Sequence, residues 1–440
     1  MPNYSWITFL QARQALASRL GIIWQADPSL NYWGDAELGL YITEGLRTWS
    51  ALTEPWNADY VFTPTSARVW YDVSADSTSP RFRTVTDANI YTLMEYHLLE
   101  PPTGATWSGT SQFSISDLSG ALQRRRDEII QMTGCNLAAL PPIASTPNTR
   151  RTAFPDTVLE PRRARFVPDS GSGNPITLNR EDNLAWDGFA PTHVQVSGTP
   201  GNWGVIAGPP LSMDVDIAPN VAGYFDVLAL QSGLSFNPPA ATLLGIPDDW
   251  SWVAKWGALA DLLGRDSEAT DRPRADYCLG RYMDGLKIMQ ASNWLLLATI
   301  NGVPCDTPSV REMDGFSPEW QNNPGAFPSL VTAGLDLIAP CPVTGAAPTS
   351  VSCVLNGNAP VPLLNGDFVQ CSRDVFDVIL DYAQVLASFK MGGAEFLSTK
   401  DLEKNFAMAA LAANKRLVNM GIYADLLHSE GKRQTKVQPK

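Results

Sequence analysis

The spacing of apolar residues along the chain predicts four pairs of helices, separated by stretches with strand-like alternation. In each helical segment, large apolar side chains recur every three or four residues and so fall on one helix face. The predicted pairs are residues 6–20 with 33–52, 86–99 with 116–133, 247–263 with 271–290, and 374–391 with 398–420. Typical helix stops follow at Gly134, Gly264, Gly392–Gly393 and Gly421.

The second predicted helix shows this pattern most clearly. Asp35 and Glu37 place negative charge in its first turn, where the helix dipole favours it. Its apolar face then carries Leu38, Tyr41, Ile42, Trp49 and Leu52. Asp248 and Asp249, after Pro247, similarly suit the first turn of a later helix.

A first β-rich region is predicted at about residues 141–247, where Pro, Gly, Ser, Asn and Asp become frequent. Apolar and polar residues alternate across 211–217, which indicates a strand with one buried face. We expect it to form a hairpin with 224–230. Weaker strand patterns lie at 164–167 and 193–196.

A second β-rich region is predicted at about residues 330–371. An alternating run at 351–355 precedes the Asn356–Gly357 pair, which is typical of a hairpin turn. A shorter alternation occurs at 69–73, between the first two helical pairs.

These patterns predict an α+β fold, a helical-hairpin bundle with β-rich, sandwich- or barrel-like insertions. The predicted segments are N-terminal helical hairpins with a short β segment (1–140), a β-rich domain (141–246), a helical hairpin (247–300), a second β-rich segment (301–372), a C-terminal helical hairpin (373–424) and a basic tail (425–440).

Large aromatic residues on the helical faces are expected to pack in the core or between subunits. They are Trp33, Tyr41, Trp49, Trp250, Trp256, Phe376 and Tyr382. The third and fourth pairs also resemble an internal repeat, because Trp250, Trp256 and Gly257 align with Phe376, Tyr382 and Ala383. Chance similarity between two buried hairpins is the alternative.

Charge divides the chain into an acidic body and a basic end. The net charge of −13 argues against a broad nucleic-acid-binding surface. The charged residues of 432–440, however, are all basic: Lys432, Arg433, Lys436 and Lys440. They predict either a solvated end or an arm that docks on an acidic partner.

Candidate chemistry is sparse. The six cysteines lack a C-x-x-C pair, and with only three histidines no zinc site or other cofactor is predicted. We expect free, mostly buried thiols, and no apolar run is long enough for a membrane span. No nucleotide-binding, nucleophile-elbow or zinc-protease motif occurs, which argues against an enzyme.

Pairs and clusters of charged residues have simple structural explanations. Asp248 and Asp249 are adjacent on a helix and should diverge, while Asp377 and Asp381 belong to a polar stripe. For residues 124–126, three consecutive arginines, we expect local ion pairs with the acids that follow. The arginines flanking the first β-rich region could contact an acidic partner or passing DNA. They are Arg150, Arg151, Arg162, Arg163 and Arg165.

Four segments resemble those of tailed-bacteriophage head-to-tail adaptor, or neck, proteins. The first ends in Y-W-G-D-A-E-L-G-L-Y-I-T-E-G-L-R-T-W-S-A-L-T. The second reads I-P-D-D-W-S-W-V-A-K-W-G-A-L-A-D-L-L-G-R-D-S-E-A from Ile246. The third and fourth are D-R-P-R-A-D-Y-C-L-G-R-Y from Asp271 and L-D-Y-A-Q-V-L-A-S-F-K-M-G-G-A-E-F from Leu380. All four are packing patterns without a catalytic signature.

The resemblance implies a virion structural protein in the neck, assembled in the host cytoplasm. It implies a homo-oligomer, expected to be a dodecameric ring, between the portal protein and downstream tail or nozzle proteins. In such a ring, helices surround a channel for genomic DNA, and the basic C-terminal arm reaches the portal.

Three other functions remain open at this point. The two β-rich additions also suit a tail hub or nozzle component. A carbohydrate- or host-binding module could use Trp186 and Trp203 as aromatic platforms. An enzyme of unrecognised type would need a deep pocket with convergent acids.

Overall fold

The computed structural model confirms the α+β prediction. It describes residues 7–24, 32–65, 69–98, 112–169, 174–182, 186, 196–236, 240–265, 270–317, 319–321, 328–341 and 349–422. The basic tail and residues 193–195 of the strand predicted at 193–196 lie outside these residues. Among the described residues, no helix is long and apolar enough to cross a membrane.

Helices form in all four predicted pairs, and one further helix, Val310–Phe316, lies in the segment 301–372 that was predicted to be β-rich. They are α1 (Phe9–Arg19), α2 (Asp35–Thr53), α3 (Asp87–His97), α4 (Ile115–Thr133), α5 (Ser251–Leu263), α6 (Arg272–Gln290), α7 (Val310–Phe316), α8 (Arg373–Met391), α9 (Gly393–Ser398), α10 (Lys400–Ala413) and α11 (Arg416–Asn419). A short 3₁₀ turn, Asp248–Trp250, leads into α5. The single helix predicted at 398–420 is wrong in its extent: Asn414 divides it into α10 and α11, and the short helix α9 precedes it.

Local signals explain where several helices begin and end. Thr8 and Ser114 form capping boxes at the starts of α1 and α4, which satisfy backbone N–H groups that lack a helical partner. Gly134 ends α4 with a φ of 73°, as the sequence predicted. Gly334 approaches it so closely that a Cβ there would lie 2.5 Å from the Gly134 carbonyl oxygen. A larger residue at 334 would therefore separate these two segments.

The helices share one hydrophobic core rather than forming separate hairpins. Helix α2 packs against α8, and α5 packs against both α4 and α6. Buried residues of this core run from Phe9 to Ile422. The helical segments predicted at 1–140, 247–300 and 373–424 therefore bury their apolar faces against one another.

The strands belong to sheets of two, three, four and eight strands. They are β1 (Asn57–Phe62), β2 (Tyr71–Asp72), β3 (Leu137–Ala139), β4 (Ile143–Ser145), β5 (Arg151–Ala153), β6 (Val158–Pro168), β7 (Ile176–Arg180), β8 (Ser197–Gly198), β9 (Asn202–Ile206), β10 (Ser212–Val215), β11 (Ala218–Pro219), β12 (Gly223–Gln231), β13 (Leu295–Ile300), β14 (Val303–Pro304), β15 (Leu330–Ala333), β16 (Leu337–Pro340) and β17 (Val351–Asn356).

The first β-rich region folds into a curled sheet of eight strands, in the order β3-β12-β6-β7-β9-β10-β5, with β4 also paired to β12. It has its own core, which includes Phe166, Trp203 and Phe225. The hairpin predicted between 211–217 and 224–230 is wrong: β10 pairs with β9 and β5, whereas β12 pairs with β6. The one-sided burial predicted for 211–217 is also wrong, since every residue of β10 is buried.

The second β-rich region is divided between two sheets. Strand β17 pairs with β1 and β13, and the hairpin predicted at Asn356–Gly357 does not form. Instead, the backbone N–H groups of Asn356 and Gly357 donate to the carbonyl oxygens of Trp294 and Trp56. Strands β15 and β16 join β2, from the short alternation at 69–73. Both sheets therefore join segments that are distant in sequence.

Candidate functional site

The aromatic residues selected from the sequence lie in the shared helical core. All seven are buried: Trp33, Tyr41, Trp49, Trp250, Trp256, Phe376 and Tyr382. The indole N–H of Trp33 donates to the Ala387 carbonyl oxygen at 3.0 Å, which ties the start of α2 to α8. Tyr382 stacks on Phe406 of α10 with ring centroids 4.4 Å apart.

A buried charge network lies at the centre of this core. The Lys255 ammonium of α5 donates to both carboxylate oxygens of Glu44 in α2, at 2.6 and 2.5 Å. Its Nζ also lies 3.1 Å from Nε2 of His97 and 3.9 Å from the centroid of the Trp256 ring. Lys255 and His97 are fully buried, and Glu44 is 3% exposed. The network therefore connects α2, α3 and α5 in the interior of the protein.

Burial controls the protonation of this network. It lowers the pKa of His97 well below its usual value, and the nearby Lys255 charge lowers it further. His97 is therefore neutral at physiological pH and can accept from the Lys255 ammonium through Nε2. Burial also lowers the pKa of Lys255, while Glu44 acts in the opposite direction. Lys255 therefore engages both carboxylate oxygens of Glu44.

Arg281 of α6 joins the third and fourth helical pairs. Its guanidinium lies 5.4 Å from the ring centroids of both Trp252 and Tyr382. Its Nη2 donates to the Tyr382 hydroxyl at 3.0 Å. Trp252 of the third pair and Tyr382 of the fourth therefore meet across one buried cation, which favours packing as their role.

A second buried cluster lies where the helical core meets the sheets. Asp336, in the turn between β15 and β16, accepts hydrogen bonds from Arg81 and Arg83. Arg81 also donates to the Asn356 carbonyl oxygen and Arg83 to that of Gly245. Burial alone would raise the pKa of Asp336, but the two arginines hold it below its usual value.

Asp248 and Asp249 diverge, as the sequence predicted, but both are buried rather than exposed at a helix start. The Asp248 carboxylate accepts from the backbone N–H groups of Thr84 and Val85 at 2.9 and 3.0 Å. That of Asp249 accepts from the Ala359 N–H at 3.0 Å. Each acid therefore fixes a different loop to the start of α5.

Acidification should stabilise the native protein relative to an Asp249→Asn variant. Burial raises the pKa of Asp249 to about 6, although Ser50 and Ala359 donate to it. A raised native pKa contributes stability that is complete below the unfolded value of 3.8 and is lost as pH rises through about 6. The difference in unfolding free energy between wild type and variant should change by roughly 3 kcal/mol over this window.

Urea unfolding at a series of pH values measures this difference. Asp156→Asn, at an exposed carboxylate, is the control and should show little change. The ordinary pKa of Asp249 is 3.8 and its raised value is about 6. The effect would be contradicted if wild type and Asp249→Asn differed by the same unfolding free energy below the first value and above the second.

The arginine clusters form ion pairs within the chain. Arg125 and Arg126 pair with Glu128 and Asp127, as predicted, and Arg125 also reaches Asp261 of α5. In the first β-rich region the pairs are Arg150–Asp214, Arg162–Glu160, Arg163–Asp314 and Arg165–Asp226. Asp377 and Asp381 likewise pair with Arg19 of α1 instead of forming a merely solvated stripe.

The two tryptophans expected to form a sugar-binding surface are buried. Trp186 is 4% exposed and Trp203 is 1% exposed, so neither ring face can stack on a sugar. Arg180 instead lies 5.6 Å from the Trp203 ring centroid. That expectation is wrong for these two side chains.

The sequence analysis missed the charges in the core. Lys255 interrupts a helix that is otherwise apolar on nearly every side, and Glu44 lies within an equally apolar segment. A single charge in such a helix is a signal of a buried partner, because an unpaired buried charge is costly. Periodicity alone could not name that partner.

The thiol prediction is confirmed within the described part of the chain: all six cysteines are free, and four are buried. Among the residues described, no group of three or more His, Cys, Asp or Glu side chains could hold a metal ion. The four tail residues, Lys432, Arg433, Lys436 and Lys440, lie outside them. No protein-family model and no curated protein matches this chain.

Proposed function

We propose that this protein is a non-catalytic structural subunit of a tailed-phage virion, in the connector ring between portal and tail. The observation that supports this is the position of the four segments that resemble adaptor proteins. Their described parts include α2, α5, α6 and α8, which pack into one core. Segments that carry a shared packing pattern therefore contribute to one hydrophobic core, which suits a ring subunit under mechanical load.

In this proposal the subunits form a homo-oligomeric ring around the passing genome. The net charge of −13 would disfavour tight contact with DNA phosphates, so the DNA could slide without sequence recognition. The basic tail would dock on an acidic surface of the portal protein, and the opposite face would bind tail or nozzle proteins. A tail hub or nozzle component would use the same rigid core.

Removing residues 425–440 should abolish portal binding and leave the fold unchanged. The four basic residues of 432–440 supply the charge of the proposed arm, and the described core ends before them. Mass measurement in solution of the full-length protein, alone and mixed with purified portal, tests this. We expect an oligomer for the full chain, a joint complex with portal, and no joint complex for the truncated chain.

A matched variant keeps the length of the tail and replaces Lys432, Arg433, Lys436 and Lys440 with Gln. If the positive charge of the arm is required for docking, this variant should also fail to form a complex with portal. Portal binding by both variants would refute the arm. A full-length chain that stays monomeric with and without portal would refute the ring.

A further inference from the structure

A cleft of about 680 Å³ lies between the curled sheet and α7, away from the buried networks of the helical core. Arg162, Arg163 and Arg180 line it from β6 and β7, and Arg311 lines it from α7. Its volume falls in the range of small-molecule sites in proteins. The concentration of arginine is notable in a chain whose net charge is −13.

In the ion pairs of the described residues, two carboxylates, Asp314 and Glu160, serve the four arginines of the cleft. Asp314 accepts from Arg163 at 2.8 and 2.9 Å and from the Trp320 indole N–H at 2.9 Å, so it is fully engaged. Arg163 and Asp314 therefore cancel as a pair.

Of the other three arginines, two share one carboxylate. Glu160 lies 3.0 Å from Arg162 and 3.2 Å from Arg180, and Arg311 has no ion pair within the described part of the chain. These three arginines therefore have one ion-pair partner, Glu160, between them. Arg162 and Arg180 are each 45% exposed at the side chain, so their guanidinium groups can reach a ligand.

The rest of the wall is largely apolar. Met132, Leu137 and Val310 line the same cleft beside the guanidinium groups. A guanidinium presents a planar fork of N–H donors that matches phosphate and carboxylate oxygens. The unpaired Arg311 and the half-exposed Arg180, which shares Glu160 with Arg162, lie beside this apolar wall and favour a ligand with two anionic ends and an apolar part.

We propose that this cleft binds a small organic molecule carrying two oxyanionic groups, either phosphate or carboxylate. Arg180 and Arg311 hold these groups from opposite sides of the cleft, while Arg163 stays paired with Asp314 and fixes α7 to the sheet. This site is independent of the connector role and would exist in a single subunit.

Isothermal titration calorimetry on the full-length protein tests the site with two probes, pyrophosphate and citrate, at low salt. The two probes distinguish phosphate from carboxylate as the preferred group. We expect saturable binding of at least one probe, weakened by added salt because the contact is ionic. Arg180→Gln and Arg311→Gln should each weaken it roughly tenfold, the loss of one charge-assisted contact.

The control is Arg265→Gln, whose side chain is also 45% exposed and pairs with Asp117 outside this cleft. It should leave the affinity unchanged. Arg311→Gln removes no ion pair described in the structure, so an unchanged thermal melt will show that its effect is local. Three results would overturn the proposal. The protein could bind neither probe, or Arg265→Gln could weaken probe binding as much as Arg180→Gln and Arg311→Gln do. It could also bind a single-stranded DNA oligomer, oligothymidylate, and neither small probe.

Discussion

Replacing Lys255 with Met should lower the unfolding free energy by about 3–5 kcal/mol, because it leaves the Glu44 carboxylate buried without its partner. Lys255 is fully buried, and its ammonium donates a hydrogen bond to each carboxylate oxygen of Glu44. Met has a similar length and packs well, so the loss reports the missing charge rather than a cavity. Denaturant unfolding followed by tryptophan fluorescence measures it.

A control variant and a double variant separate the effect of the unpaired charge from a nonspecific loss of stability. Lys287→Met removes a 53% exposed ammonium from α6, 3.7 Å from Asp284, and should change stability by less than about 0.5 kcal/mol. The double variant Glu44→Gln/Lys255→Met removes both charges and should be more stable than Lys255→Met alone. If the loss of stability of the double variant relative to wild type equalled the sum of the losses of Glu44→Gln and Lys255→Met, the two residues would not be coupled.

Asp336→Asn should destabilise the native protein by a similar amount, about 3–5 kcal/mol, because it leaves two buried guanidinium groups without a counter-charge. Asp336 is 5% exposed, and Arg81 and Arg83 both donate to it. The same arginines hold the carbonyl oxygens of Asn356 and Gly245, so the loss should loosen the contact between the helical core and the sheets.

The effect of Asp336 should depend on pH in a defined direction. Its native pKa is lower than the ordinary 3.8, so its contribution is complete above that value and is lost as pH falls through the native pKa. Wild type and Asp336→Asn should therefore approach one another in stability in strong acid. Asp306→Asn, at an exposed carboxylate, should match wild type at neutral pH. Equal stability of Asp336→Asn and Asp306→Asn at neutral pH would exclude the cluster as a source of stability.

The elements that could be predicted from the sequence are those whose causes are local. Capping residues and apolar periodicity act within one or two turns, so α2 and α4 appear close to where they were expected. Gly134 ends α4 because a glycine readily adopts positive φ, a property of the residue itself. The alternation that predicted a strand at 351–355 likewise corresponds to β17.

The partners of these elements could not be predicted in the same way. Alternation indicates a strand and its buried face, but many strands can satisfy its backbone hydrogen bonds. The predicted hairpin at Asn356–Gly357 failed because distant strands, β1 and β13, occupy both edges of β17. The hairpin at 211–217 failed for the same reason, since β9 and β5 flank β10.

The sequence by itself determined the α+β class, most of the helices and the large aromatic side chains available for packing. Only the tertiary structure decided which charges meet: Lys255 with Glu44, and Asp336 with two arginines. It also decided that Trp203 is buried and that four arginines line a cleft. Local propensities act over a few residues, whereas the pairing of buried charges depends on contacts between segments far apart in the chain.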